Sequence, residues 1–344
     1  MNHVAIDLGG KESQICIRRP DGTIVEESRT PTRRLPALMA KWERCRVILE
    51  TCAEAFHIAD SAKLSGHEVR VVPATLVKTL GVGARCVKTD RRDAQVLSEV
   101  SCRIDLPSVH VPTTLARELK SLCGARETLV ETRTKLINNV RGWLRTQLWR
   151  VKKGATASFA ARVRGHAQML QVPLPEHVER QLVVIETVNA QIRLSDAQVS
   201  RIAGDHPICR LLMTAPGVGP VTAVRFVAAL DDVTRFSSAH QLESYLGLTP
   251  GEHSSSESNR KTGITKAGPR ELRRVLVQAA WTVLRSSPDD PMTVWAMNIA
   301  ARRGKFIAVV ALARKLAGIL FAMWRDGTPY RRLRTARPTE PITE

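Results

Sequence analysis

The chain has 344 residues, of which 43% are apolar and 25% charged, ordinary proportions for a soluble globular protein of two or three domains. Its 52 Lys and Arg residues outnumber its 33 Asp and Glu residues, giving a formal net charge of +19. A charge of that size disfavours a small-molecule enzyme and favours a protein that binds a polyanion, above all nucleic acid.

Membrane association is not expected from the pattern of apolar residues. The longest apolar runs, residues 306–313 and 316–324, are flanked by basic residues, and each is too short to span a bilayer. The N-terminal residues lack the pattern of a signal peptide, and the seven cysteines form no Cys-x-x-Cys pair. We therefore expect a cytoplasmic protein with reduced, mostly buried cysteines and no membrane partner.

Residues 1–112 have the element order of an α/β domain. Apolar patterns of period two predict strands at residues 4–8, 13–18, 23–28, 46–49 and 69–72, and helical spacing predicts helices at 35–43, 53–64 and 93–103. The order of three strands, helix, strand, helix, strand and helix is that of a ribonuclease-H-like (RuvC-like) fold, a mixed sheet covered by helices.

Residues 113–204 form a predicted helical, coiled-coil-like segment. Near-helical spacing of Leu, Ile and Val predicts two long helices at residues 114–148 and 176–202. Between residues 138 and 166 the chain has seven basic residues and no acidic one: Arg141, Arg145, Arg150, Lys152, Lys153, Arg162 and Arg164. The segment is either a solvated helix face and linker or a surface that contacts nucleic-acid phosphates, and the missing acids favour the second interpretation.

A second globular unit is predicted at residues 205–300, followed by a C-terminal helix and tail at 301–344. The Pro-Gly-Val-Gly run at residues 216–219 lies between two apolar helical segments, which is typical of a helix-hairpin-helix motif. Gly217 and Gly219 would let the backbone approach a phosphate at the start of the second helix. A tight helix–helix turn without any ligand has the same pattern.

Four carboxylates are predicted to meet at one edge of the N-terminal sheet. Asp7 and Glu50 end strands, and Asp90 and Asp93 share one side of the chain at the start of a helix. Each alone has an ordinary structural explanation, but together in a basic chain they predict a metal site. Mg²⁺ takes oxygen ligands and needs few carboxylates, and two such ions hold the attacking and leaving oxygens of a phosphodiester in line.

A serine cluster, Ser254, Ser255 and Ser256, lies in a predicted loop before a helix at residues 271–284. The basic residues that follow the cluster are Arg260, Lys261, Lys266, Arg270, Arg273 and Arg274. A serine hydroxyl is a weak nucleophile, and metal ions on the phosphate together with Arg and Lys clamps would supply the help that it needs. The segment is either an ordinary polar loop or a site of attack on a phosphodiester whose neighbouring cations contact nucleic acid.

A set of short motifs in a fixed order connects the two halves of the chain. The motifs are Ala5-Ile6-Asp7, Leu49-Glu50, Lys88-Thr89-Asp90-x-x-Asp93-Ala94, Pro216-Gly217-Val218-Gly219, Gly247-Leu248-Thr249-Pro250, and Lys266-Ala267-Gly268 with Leu272-Arg273-Arg274. With these motifs the chain resembles, over nearly its whole length, the bridge-RNA-guided transposases of bacterial insertion sequences. Those proteins have a four-carboxylate resolvase-like domain and a separate transposase domain that bears a serine.

The resemblance implies roles for particular residues. As in the family's carboxylate quartet, the ligands of Mg²⁺, or of Mn²⁺ as a substitute, would be Asp7, Glu50, Asp90 and Asp93. The family's nucleophile follows a proline by five positions, and counting from Pro250 gives Ser255. The next residue in this chain is Ser256 rather than the usual glycine, so Ser254 and Ser256 stay open as alternatives.

The resemblance also implies a reaction and partners. It implies a recombinase that forms a 5′-phosphoserine intermediate with donor and target DNA, guided by a structured non-coding RNA, at the bacterial nucleoid. It further implies a homo-oligomer, a tetramer built from dimers, with residues 138–166 as the candidate for RNA contact and subunit pairing. Two alternatives remain open. One is a junction-resolving endonuclease of the same fold that needs the carboxylates but not Ser255, and the other is a non-catalytic nucleic-acid binder.

Overall fold

The computed structural model describes residues 1–79, 90–255 and 258–331. The chain divides into two compact units, Met1–Pro112 and Thr113–Glu344. The first unit is a sheet covered by helices, and the described part of the second unit is almost entirely helical.

The first unit is built on a five-stranded mixed sheet with the strand order β3-β2-β1-β4-β5. Its strands are β1 (His3–Asp7), β2 (Glu12–Arg18), β3 (Ile24–Pro31), β4 (Arg46–Glu50) and β5 (Glu68–Val72). Strands β1, β2 and β3 form an antiparallel meander, whereas β4 pairs parallel with both β1 and β5. The predicted ribonuclease-H-like mixed sheet is confirmed.

Helices connect and cover these strands. They are α1 (Leu35–Met39), α2 (Ala55–Leu64), α3 (Ala74–Thr79) and α4 (Asp90–Arg103). The first helix ends four residues earlier than predicted because the amides of Lys41 and Trp42 bond three residues back, to Leu38 and Met39, and so tighten the chain into a turn. Helix α3 was not predicted.

The two faces of the sheet bury different residues. Val4, Ile6 and Leu49 pack with α1 and α2 on one face. Ala5 and Ile48 pack on the other face with Leu97 of α4. The alternation follows from the period of two along a strand, and it assigns each strand-end residue to a face.

Two long helices dominate the start of the second unit. Helix α5 (Thr114–Thr146) has 33 residues and α7 (Glu176–Asp205) has 30, about 50 and 45 Å of length. They pack antiparallel, as the ion pair between Arg126 in the first half of α5 and Asp196 in the second half of α7 shows. The short α6 (Phe159–Met169) packs where α5 ends and α7 begins, in a small separate core. The predicted long helical segment is confirmed.

The remaining elements form a larger core around the other end of the long helices. They are α8 (Pro207–Leu212), α9 (Pro220–Leu230), α10 (Ala239–Tyr245), β6 (Pro250–Ser255), β7 (Ser258–Ile264), α11 (Arg270–Ser286), α12 (Pro291–Arg303) and α13 (Lys305–Asp326). Strands β6 and β7 form an antiparallel two-stranded ribbon rather than the predicted loop. The polar composition of the serine cluster predicts a loop, because composition does not reveal cross-strand pairing.

The two apolar runs near the C-terminus belong to one helix, which corrects their treatment as separate short segments. Helix α13 continues through Arg314 and Lys315 and is long and apolar enough, by length and composition alone, to cross a membrane. Its buried residues recur at helical spacing and lie in the core of the second unit, among them Ala308, Leu312 and Leu316. Its neighbours are α10, α11 and α12, so the side of the helix that faces them is covered by protein.

Candidate catalytic site and nucleic-acid surface

Asp7 and Glu50 occupy neighbouring strand ends on one face of the first unit's sheet. Strands β1 and β4 pair in parallel with Ile6 opposite Leu49, so the two carboxylates follow in the next position of the register. Asp7 comes two residues after Ala5, and Glu50 comes two residues after Ile48, so both share the face that α4 covers. Both residues are half-buried.

Asp93 belongs to the same face because α4 runs antiparallel to β1. The Nδ1 atom of His3 lies 2.8 Å from the Oγ atom of Ser101, near the C-terminal end of α4. From Ser101 back to Asp93 the helix rises about 12 Å, and from His3 to Asp7 the strand advances about 13 Å. Asp93 therefore lies level with the end of β1, and it is buried, with 6% of its surface exposed.

Two hydrogen-bonded clamps hold α4 in this position, and sequence reasoning missed both. The guanidinium of Arg18 donates to the Ser98 hydroxyl at 3.1 Å and to the Gln95 carbonyl at 3.4 Å. On the neighbouring strand β3, Glu27 accepts from the Nε atom of Arg91 at 3.1 Å and from Gln95. The Arg91 hydrogen bond lowers the pKa of the Glu27 carboxyl below its usual range. A charged pair separated by 64 residues leaves no local pattern by which to find it.

The donor set of this face consists of carboxylates on separate elements, which suits a hard divalent cation. Among the side chains that the structure describes, no three His, Cys, Asp or Glu side chains are close enough together to ligate one ion. The side chain of Asp90, which opens α4, lies outside those described. The carboxylates on this face fit such an ion by their donor chemistry.

The serine cluster lies at the end of the β6–β7 ribbon in the second unit. The last paired positions are Ser254 with Asn259 and Ser255 with Ser258. Ser256 lies outside the described residues. Arg260 and Lys261 are on β7, and their backbones pair with His253 and Glu252 respectively.

The base of the ribbon is a clasp made by two of the sequence motifs. Gly247 and Gly268 both have a positive φ, +64° and +68°, and each lies directly against backbone of the other motif's segment. The Lys266 amide donates to the Gly247 carbonyl at 3.1 Å. Arg273 of α11 donates to the carbonyls of Leu246 and Ala267, one on each side. The motifs at residues 247–250 and 266–268 are thus one structural device that orients the serine strand.

Several side chains predicted to contact nucleic acid make contacts within the unit instead. Besides Arg273, Arg274 forms ion pairs with Glu271 and with the buried Glu127 of α5. Arg225 completes a buried trio with Glu127 at 3.3 Å. By contrast, Lys266 and Arg270 are exposed beside the clasp. The prediction for Arg260 and Lys261 rests on side chains that lie outside those described.

The Pro-Gly-Val-Gly turn packs closely against α11. Gly217 has φ +75°, and a Cβ added there would lie 2.6 Å from the Ala279 carbonyl oxygen and 2.7 Å from a Val283 methyl carbon. Gly219 precedes α9 as its N-cap and has no atom within 4 Å of an added Cβ. The structure therefore gives Gly217 a packing role, and Gly219 stays a predicted phosphate contact.

The basic segment between the long helices separates into two groups. Arg164 is paired with Glu179 and Glu186, which raise its pKa, so its charge is matched within the unit. The other cations make no ion pair with any carboxylate of the described residues: Arg141, Arg145, Arg150, Lys152, Lys153 and Arg162. These six cations lie at the end of α5, in the connection that follows it and on α6.

Comparison with known proteins bears on both units. Residues 4–148 match a DEDD transposase profile of IS110 type, described as Transposase, and residues 209–293 match the profile described as Transposase IS116/IS110/IS902 family. A probable family 20 transposase of Pseudomonas aeruginosa is 31% identical over 83% of this chain and 86% of the relative. The transposase for insertion sequence element IS1111A of Coxiella burnetii is 27% identical over 95% of this chain and 91% of its own. The transposase for insertion sequence element IS1328 of Yersinia enterocolitica is 25% identical over 95% of this chain and 98% of the relative.

The fold and these similarities define a transposase, a class of protein that acts on DNA by strand cleavage and strand transfer. The chain belongs to the IS116/IS110/IS902 family of transposases. DEDD-type transposase domains generally use divalent metal ions, in agreement with the carboxylate-bearing face of the sheet. The predicted transposase of an insertion sequence, with DNA as its substrate, is confirmed.

Proposed function

We propose that this transposase cleaves and rejoins DNA through a serine nucleophile, with Ser255 as attacking residue and a structured guide RNA selecting donor and target DNA. The observation that carries the proposal is the common face of Asp7, Glu50 and Asp93, whose carboxylates are the kind of ligand that divalent cations take. The second support is the clasped β6–β7 ribbon, whose end carries Ser254 and Ser255 in a stretch of the other unit's sequence rich in Arg and Lys.

In this proposal Asp7, Glu50, Asp90 and Asp93 hold Mg²⁺, or Mn²⁺ in its place. When bound, the ion neutralises charge on the scissile phosphate and so makes it a better electrophile. The serine oxygen forms a bond to phosphorus and gives up its proton, giving a 5′-phosphoserine, while the bond from phosphorus to the 3′ oxygen breaks and that oxygen takes up one proton in return. Attack by a 3′ hydroxyl of the exchanged strand then reverses the step and releases the serine.

The experiment that tests the proposal is a covalent trap. The full-length protein, its element's RNA and labelled junction DNA are mixed in Mg²⁺, quenched in denaturant and examined for DNA-linked protein by gel and peptide mass. An adduct on Ser255 that is lost in Ser255→Ala, with Ser258→Ala as the matched control on the partner strand, supports the assignment.

Other outcomes of the trap separate the alternatives. An adduct on Ser254 or Ser256 keeps the chemistry and moves the nucleophile. DNA cleavage without an adduct makes the chain a hydrolytic endonuclease of the same fold. RNA omission that leaves the adduct unchanged contradicts guidance by RNA.

We also propose that the working form is a tetramer built from dimers, acting at the bacterial nucleoid. Sedimentation of the protein with and without its RNA and junction DNA measures this, and a complex that stays monomeric at every concentration contradicts it.

A further inference from the structure

A cavity of about 550 Å³ lies between the end of α5, the connection that follows it and the start of α6. Six basic residues line it: Arg141, Arg145, Arg150, Lys152, Lys153 and Arg162. No acidic residue lines it, and the apolar part of the lining includes Trp149 and Phe159. It is distinct from the carboxylate face and from the serine ribbon, and neither uses its residues.

The size and charge of this cavity restrict what can bind there. Its volume falls in the range of pockets that enclose a small organic molecule, about 300 to 1,000 Å³, and is large for a single phosphate ion. Six like charges around one cavity repel one another, and a bound polyanion removes that repulsion. Arg162 is held in place by donating to the carbonyls of Lys152 and Ala155, so part of the cationic wall is formed before any ligand binds.

The aromatic part of the cavity is equally well fixed. Trp149 makes edge-to-face contacts with Trp143, at 5.4 Å between ring centroids, and with His166, at 5.6 Å. The guanidinium of Arg141 lies 5.5 Å from the centroid of the buried Phe159 ring. Indole rings and guanidinium planes are the surfaces on which unpaired nucleobases stack, and phosphates of the same strand bind the surrounding cations.

We propose that this cavity holds one unpaired nucleotide, with its base against Trp149 and its phosphates on the surrounding Arg and Lys residues. The inference rests on the proposed function only in so far as that function supplies nucleic acid with unpaired positions, from RNA loops or from opened DNA. An acidic peptide would satisfy the cations but would leave the aromatic surface unused.

The test compares two oligonucleotide hairpins that differ by one bulged nucleotide, each made as RNA and as DNA, binding to the full-length protein in EDTA. The protein should bind the bulged hairpin about tenfold more tightly than the fully paired one, as expected for stacking of a single base. Trp149→Leu should abolish that preference, and Trp149→Phe should retain part of it. Arg303→Ala removes an exposed charge elsewhere on the same unit and should leave the preference unchanged.

A second measurement uses the wild-type protein and so does not depend on whether a variant folds. A hairpin with 5-iodouridine at the bulge is crosslinked by light, and the crosslinked peptide is identified by mass. Crosslinks within residues 141–162 support the proposal, and the RNA and DNA forms show which nucleic acid supplies the nucleotide. Crosslinks only elsewhere, equal affinity for bulged and paired hairpins, or tighter binding of poly-glutamate would overturn it.

The two proposals fail separately. A serine adduct together with equal affinities for the two hairpins refutes the proposal that the cavity binds a nucleotide and supports the recombination chemistry. A preference for the bulged hairpin that depends on Trp149, without any adduct, refutes the serine mechanism and supports nucleotide binding in the cavity.

Discussion

At the scale of single residues, the proposed chemistry depends on a few carboxylates placed at strand ends and on one helix face. Asp7 is the half-buried last residue of β1, and Asp93 lies on α4 with 6% of its surface exposed, so neither is an ordinary surface acid. Burial of acids in a chain of charge +19 has an evident use if a divalent cation binds between them.

The first prediction concerns Asp7. Asp7→Asn removes one negative ligand and keeps the shape of the side chain, so strand cleavage in Mg²⁺ should fall by at least about a hundredfold, with nucleic-acid affinity unchanged. Cleavage is measured on labelled junction DNA and affinity by filter binding. Asp60→Asn on α2, which packs on the opposite face of the sheet, is the matched control. Full cleavage by Asp7→Asn would refute the metal site.

The second prediction concerns Cys209, whose thiol is fully buried. Burial raises its pKa to about 12, whereas a thiol in an unfolded chain ionises near pH 8.5. Above about pH 8.5 the unfolded state loses a proton that the folded state keeps, so stability present at lower pH is lost as the pH rises toward 12. The melting temperature of Cys209→Ala should fall less steeply with rising pH than that of the wild type. Cys102→Ala, which replaces a half-exposed thiol, should behave like the wild type. Parallel curves would contradict the shift.

Pairs of elements fix the orientation of the functional parts. The β6–β7 ribbon has two strands, and a two-stranded ribbon by itself is only marginally stable. Its direction is therefore set by the clasp of Gly247, Gly268 and Arg273.

The third prediction tests that clasp. Gly268→Ala places a methyl group on the Tyr245 carbonyl oxygen at a positive φ, so the ribbon must shift. Serine adduct formation should fall by about tenfold or more, whereas binding of DNA should change little. Gly263→Ala, in the same ribbon but with no atom within 4 Å of the added carbon, is the control. Equal loss in both variants would show that the clasp has no special role.

The fourth prediction concerns the attachment of α9 and α11 to α5. Glu127 is buried and pairs with Arg225 and Arg274, and its removal leaves the buried guanidinium of Arg225 without a counter-charge. Glu127→Gln should lower the free energy of unfolding by about 3 kcal/mol, measured by urea denaturation. Glu131→Gln, exposed one turn further along α5, should lower it by less than about 0.5 kcal/mol.

The whole molecule is strongly basic, and its charge should dominate its affinity for nucleic acid. The fifth prediction is that affinity falls by about a thousandfold between about 50 and 200 mM salt. Lys152→Ala, which removes one cavity charge, should reduce the slope of log Kd against log salt by about one. Arg285→Ala, in the last turn of α11, tests whether any surface charge has the same effect. A flat salt dependence would contradict binding through phosphates.

The sequence by itself determined most of the elements and the strand-end carboxylates. The five strands of the first unit, its helices other than α3 and the two long helices follow from local periodicity, because burial on one side imposes a period of two or 3.6 residues. Asp7 and Glu50 were recognised from their positions at the ends of such patterns. The motif order was sufficient to predict the class of protein.

Only the tertiary structure decided which residues share a surface. In the sequence Arg164 and Arg274 have the pattern of free cations, but Arg164 pairs with Glu179, 15 residues away, and Arg274 pairs with Glu127, 147 residues away. The two apolar runs near the C-terminus belong to one core helix, α13, and the motifs that contain Gly247 and Gly268 form one clasp. The cationic cavity joins the end of one helix to the start of the next. Such contacts depend on long-range packing and charge pairing, which leave no periodic trace in a single sequence.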